Sequence, residues 1–102
     1  MSKGAAFSSH YSITKAGIIG LSKSLARELG NYRIRCNSVL PFFIETPMVE
    51  NSLDDKMKKA FTKAVPLRRF GKAEEVAELC LFLASNKSSY INGASIDVSG
   101  GF

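Results

Sequence analysis

The chain has 102 residues, 45% of them hydrophobic and 23% charged, with a net charge of +5. That length holds at most one small domain, and the balance is that of a globular chain, not a disordered or fibrous one. No apolar run nears the ~20 residues that span a bilayer, and Cys36 and Cys80 stand far apart with no Cys or His partner nearby. These features exclude a membrane-spanning segment, a disulfide framework and a metal site, and predict two buried free thiols in a reducing compartment.

Met1 to Ser9 is small, polar and without periodicity, which reads as a loop. The first 27 residues, with Lys3, Lys15, Lys23 and Arg27, several serines and no acid, superficially resemble an organelle transit peptide, but such a segment would cut through the helix that carries Tyr11 and Lys15. From about His10 to Gly30, Ile18, Leu21, Leu25 and Leu29 recur at spacings of three and four, predicting a long helix with a wide apolar face. Ser9 suits its N-cap and Gly30-Asn31 its end. Gly17 and Gly20 weaken the helix and predict close packing against a neighbouring backbone.

Arg33 to Leu40 reads as a strand stopped by Pro41, and Phe42 to Ser52 as irregular chain. Residues 53 to 64 form a basic helix with Leu53, Met57, Ala60, Phe61 and Ala64 on its apolar side. Gly71 opens the next helix, with Glu74 and Glu75 complementing its dipole. Leu81, Phe82 and Ala84 make its second half apolar nearly all round, predicting burial. Asn86 to Asn92 is a polar turn and Ala94 to Val98 a last strand. The order α-β-α-α-β predicts an α/β fold whose two parallel strands need further strands, so the chain reads as the last portion of a larger domain.

Two clusters carry chemistry. Tyr11 and Lys15, four residues apart, share one helix face and can converge on one small site. A fixed ammonium favours the phenolate and lowers a tyrosine pKa from its usual value near ~10, making an acid/base device. The same spacing also fits an ordinary amphipathic helix. Between Asp54 and Lys72, seven basic residues stand against two acids and account for the whole net charge. Such a patch is either a solvated helix face or a surface steering an acidic or phosphorylated partner. It has little aromatic interleaving, so nucleic acid is not expected.

From Tyr11 to Phe102 the sequence resembles the carboxyl-terminal part of the classical short-chain dehydrogenases/reductases, nearest to 3-oxoacyl-[acyl-carrier-protein] reductases and similar hydroxysteroid dehydrogenases. Six segments carry the resemblance in order: Tyr11 to Gly17, Leu25 to Gly30, Ile34 to Pro41, Phe43 to Met48, Gly71 to Ala77, and Tyr90 to Gly93 with Asp97 to Gly101. It implies a partial Rossmann-type doubly wound parallel sheet over residues 1–102, and an NAD(P)-dependent oxidoreductase using NADP or NAD. The substrate would be a ketone or secondary alcohol, 3-oxoacyl or steroid-like, possibly bound to a carrier or coenzyme A.

Tyr11 would be the proton donor or base, and Lys15 would lower its pKa and hold the nicotinamide ribose. Pro41 would border the cofactor, Ile44 would offer backbone groups to the carboxamide, and Thr46 would bond the carboxamide or pyrophosphate side. Residues 48 to 65 would form a substrate lid. Phe42 stands where the family usually has glycine, placing a ring in the bend beside the nicotinamide site. The family's glycine-rich fingerprint and catalytic serine precede the matched region. Two readings follow: a portion of a complete reductase, or a truncated isoform or pseudoenzyme that docks on full-length subunits. The family suggests a homo-tetramer and a cytoplasmic protein, with a mitochondrial location as the alternative.

Overall fold

With Ala5 and Ala6 and no proline before Pro41, nothing in the chain stops the first helix from running further toward the amino terminus than the polar composition suggests. In the computed structural model, which describes residues 3–102 and side chains from Ser9 onward, helix α1 runs over Lys3–Leu29. The expected loop over Met1 to Ser9 is therefore corrected from Lys3 on, and Ser9 is interior to the helix. Met1 and Ser2 lie outside the described residues. Strand β1 is Ser38–Pro41, β2 Ile44–Glu45, helix α2 Pro47–Ser52, α3 Asp55–Ala64, strand β3 Gly71–Lys72, helix α4 Ala73–Ala84 and strand β4 Ser95–Val98. The secondary structure is α/β, with β1 beside β4 and β2 beside β3. Ser38 N–H donates to Ala94 C=O and Phe42 N–H to Val98 C=O, a constant offset that makes the β1–β4 pair parallel. β2 and β3 are also parallel, Ile44 facing Gly71.

The contacts group the chain into two units, residues 1–38 with 89–95, and residues 39–88 with 96–102. In the first, α1 ends in a 3-10 turn at Gly30–Tyr32, closed by left-handed Arg33 at φ 62°. The expected strand over Arg33 to Leu40 begins only at Ser38, because two asparagine side chains replace the ladder before it. Asn37 donates Nδ2–H to Ile91 C=O (3.2 Å) and accepts Ala94 N–H at Oδ1 (2.9 Å). Asn92 accepts Cys36 N–H (3.0 Å) and donates to Ala26 C=O (3.2 Å), which ties α1 to the same segment. The packed side of α1 carries buried Ser22 and Ala26, and Ser22 hydrogen-bonds Ser38. Ile13 and Leu21 face solvent at 72% and 61% exposure, and a Cβ on Gly17 or Gly20 would meet open space. The expected wide apolar packing face and close glycine contact are thus absent among the described residues.

In the second unit, polar side chains start each helix. Thr46 Oγ1 accepts Val49 N–H for α2, with Pro47 at the first helical position, and Asp54 Oδ1 accepts Met57 N–H at 2.8 Å for α3. β2, β3 and α2 were not expected; each is too short for periodicity to show and depends on a cap or a distant partner. Val65, 1% exposed, is the centre of this unit. Gly100 turns over it at φ 65° while Leu67 N–H donates to Gly100 C=O. Only Leu83 of the apolar end of α4 is buried, whereas Leu81 is 73% exposed and Phe82 41%, so the expected burial holds for one face alone. Cys80 is exposed and Cys36 half-buried, both as free thiols, which corrects the expectation of two buried ones. A helix buries what its neighbours cover, and the described residues cover one side of α4.

Two glycine substitutions should have opposite signs. A Cβ at Gly100 would stand 2.6 Å from Val65 Cγ1 in a left-handed backbone, so Gly100→Ala is expected to destabilise by about 1–3 kcal/mol. Gly17→Ala, in open helical space, should stabilise by roughly 0.5–1 kcal/mol. Urea denaturation of the three proteins checks both.

Candidate functional site

Tyr11 and Lys15 lie one turn apart on α1, both half-buried, on the stripe that continues through Ile19 to buried Ser22 and Ala26. The helix therefore turns the phenol and the ammonium toward its packed side while Ile13 and Leu21 point outward. Both groups belong to the first unit; Pro41, Ile44 and Thr46 belong to the second.

In the second unit the chain leaves β1 at Pro41 and bends at Phe43, whose φ is 56°. The left-handed residue is thus Phe43, one beyond the Phe42 whose ring was expected in the bend. Gly71 N–H donates to Phe43 C=O at 2.9 Å. In a parallel ladder alternate residues bond a given neighbour, so with residues 43 and 45 turned to β3, the N–H and C=O of Ile44 face away from it. Thr46 holds its hydroxyl at the start of α2, where the oxygen accepts Val49 N–H at 3.2 Å and the hydroxyl proton can still donate.

Five phenylalanines gather around this bend. Phe42 meets Phe43 edge-on at 4.5 Å and stacks on Phe102 at 5.0 Å, with 13° between the planes. Phe43 also meets Phe102, Phe61 and Phe70 at 4.8, 5.7 and 6.1 Å. A cavity of about 380 Å³ opens between Phe43, Ile44, Val49, Leu53, Phe61 and Phe70. These residues were not singled out together from the sequence; the available signal was Val49, Leu53, Met57 and Phe61 at spacings of four across two short helices.

A second cavity of about 490 Å³ is lined by Phe42, Leu67, Arg69, Glu75, Asp97 and Gly100, among others. Its polar side is the fork between Arg69 and Glu75, with N–O distances of 2.7 and 3.0 Å. Glu75 also accepts Lys72 N–H at 2.9 Å at the start of α4. The Arg69 hydrogen bonds first, and the Lys72 amide second, hold the Glu75 carboxyl down from its ordinary 4.5 to about 2. Among the described residues no group of three or more His, Cys, Asp or Glu could hold a metal ion, and no helix is long and apolar enough to cross a membrane.

A family model described as Enoyl-(Acyl carrier protein) reductase matches residues 1–102. The chain is 52% identical over 92 residues to (3R)-3-hydroxyacyl-CoA dehydrogenase of Mus musculus, covering 90% of this chain and 35% of that protein. It is 50% identical over 92 residues to 3-oxoacyl-[acyl-carrier-protein] reductase FabG of Thermotoga maritima, covering 90% and 37%. The chain spans about a third of the length of the curated relatives it matches. Among solved structures, a 3-oxoacyl-[acyl-carrier protein] reductase from Brucella melitensis matches with a TM-score of 0.83 at 43% identity, covering 91% of this chain and 34% of that one. A short chain dehydrogenase family protein from Francisella tularensis matches with a TM-score of 0.78 at 34% identity, covering 89% and 42%.

Because the folded Glu75 has the lower pKa, its pairing supports the fold fully above pH 4.5 and is lost as pH falls toward 2. Acid unfolding followed by circular dichroism should show a steeper fall between those values in the parent than in Glu75→Gln.

Proposed function

The chain belongs to the short-chain dehydrogenase/reductase family and carries part of its Rossmann-type α/β domain, and from that premise we propose that it supplies the proton-transfer and nicotinamide-facing portion of an NAD(P)-dependent oxidoreductase acting on 3-oxoacyl or 3-hydroxyacyl thioesters. The observation that carries this reading is the Tyr11–Lys15 pair on the packed stripe of α1. The names of the relatives, a 3-hydroxyacyl-CoA dehydrogenase and a 3-oxoacyl-carrier reductase, support the substrate class.

Taken separately, each unit carries groups that suit a dinucleotide: in the first, an ammonium and a phenol of the kind that bond ribose hydroxyls; in the second, a backbone N–H and C=O at Ile44 of the kind that bond a carboxamide, with the Thr46 hydroxyl two residues on. The nicotinamide, when bound, gives or takes the hydride. Tyr11 gives its phenolic proton to the oxygen of a ketone undergoing reduction, or takes one from an alcohol undergoing oxidation. Lys15 places an ammonium one helical turn away, on the same face of α1 as the phenol. Pro41 ends β1 and directs the chain into the bend, Ile44 orients the carboxamide, and Thr46 fixes the start of α2 beside it.

The segment 48–65 is the substrate lid in this reading. On α3 the stripe of Met57, Ala60, Phe61 and Ala64 is exposed. Helical geometry puts Lys56 and Lys63 along one edge of it and Lys58 along the other. An apolar stripe edged by cations suits an acyl chain carried on a phosphate-bearing arm, whether of coenzyme A or of an acidic carrier protein. A second reading, association with full-length subunits, is favoured by the solvent-facing Ile13 and Leu21 of α1 and Leu81 and Phe82 of α4.

Assayed with NADH or NADPH and a 3-oxoacyl-CoA, Tyr11→Phe is expected to lose about 10²–10⁴-fold in kcat with little change in the KM for the dinucleotide. Lys15→Ala should worsen both. Unchanged turnover in Tyr11→Phe overturns the assignment. Absence of turnover from the chain alone, with co-elution on mixing with a full-length relative, identifies the association reading.

A further inference from the structure

Phe42 lines both the 380 Å³ cavity and the 490 Å³ cavity, and it is the one residue common to the two linings. The two spaces differ in chemistry. On one side stand Phe43, Val49, Leu53, Phe61 and Phe70, nearly all carbon; on the other stand the Arg69–Glu75 fork and the Asp97 carboxylate. A hydrocarbon tail gains free energy in the first and loses it against the charges of the second.

The ring between them is held from two sides. Phe102 stacks on it face to face at 5.0 Å, and Phe43 abuts it edge-on at 4.5 Å. Backbone bonds set both members of the stack: Phe42 N–H donates to Val98 C=O at 3.0 Å, and Phe102 N–H to Ser99 C=O at 3.2 Å. The glycine turn that delivers Phe102 is itself fitted closely, with a Cβ on Gly101 falling 3.1 Å from Pro66. A ring so braced behaves as a wall rather than as a side chain that swings aside.

We propose that Phe42, braced by Phe102, is the end wall of the apolar cavity and sets the acyl length beyond which further methylenes add nothing to binding. The inference rests on the acyl-thioester reading given above. Each methylene that enters the cavity should tighten binding about fourfold, until the chain end reaches the Phe42 ring and the gain stops.

The test is the dissociation constant of straight-chain acyl-CoAs, butanoyl to hexadecanoyl, for the parent, Phe42→Ala and Phe102→Ala, each checked by far-ultraviolet circular dichroism. The parent should tighten by about fourfold per methylene up to a break and then level off. In Phe42→Ala the break should move to chains longer by about two to four methylenes, and in Phe102→Ala it should move in the same direction by less. Coincident breaks in all three proteins overturn the proposal. Should Phe42→Ala fail to fold, the series with Phe102→Ala decides, since that ring is mostly exposed. A parent whose affinity ignores chain length overturns the acyl-thioester reading itself, a result distinct from length dependence with an unmoved break.

Discussion

The left-handed backbone at Phe43 is the constraint on which the second unit depends. A residue with a Cβ spends about 1–2 kcal/mol in that conformation, and the chain tolerates it there because the same bend drives the Phe43 ring among Phe42, Phe61, Phe70 and Phe102. Straightened, the bend would withdraw Phe43 C=O from Gly71 N–H and dissolve β2 against β3. The facing direction of the Ile44 backbone, the start of α2 at Thr46 and the mouth of the apolar cavity all follow from that one dihedral. The strain is local, and its compensation is spread over four rings.

The first unit solves a different problem by different means. Its extended segment before β1 has backbone groups to satisfy and no adjacent strand there, so Asn37 and Asn92 supply side-chain amides in place of a ladder. Because Asn92 also reaches Ala26, the bonds that guide the chain toward β1 hold the helix that presents Tyr11 and Lys15. Gly93, left-handed at φ 76°, brings its backbone close to Ala26, where a Cβ would stand 3.3 Å from the alanine methyl. Helix and loop are thus fixed by contacts that no hydrophobic periodicity reports.

What could be read from residues alone follows that division. The i, i+4 relation of Tyr11 and Lys15, the basic helix over residues 53 to 64 and the acidic first turn of α4 are local, and local chemistry writes them plainly. The strand expected over Arg33 to Leu40 was shortened by asparagines whose partners lie more than fifty residues away. β2 exists only through its pairing with β3, and the left-handed residue is Phe43, next to the Phe42 that stands where the family usually has glycine. Exposure of Leu81, Phe82 and Cys80 was beyond the pattern for a simpler reason: composition tells which face can be buried, and only a neighbour decides whether it is.

The strand pairing has a kinetic consequence. Among the described residues both ladders are parallel, and β1 meets β4 at an offset of 56 residues, so neither is seeded by a hairpin. Helices α1, α3 and α4 can begin to form within a microsecond or so from local contacts, whereas the first strand pair must wait for a long loop to close before any ladder bond rewards it. The slow step of folding is then the meeting of Ser38 and Ala94, and until it happens β1 is an open edge available to any other strand nearby.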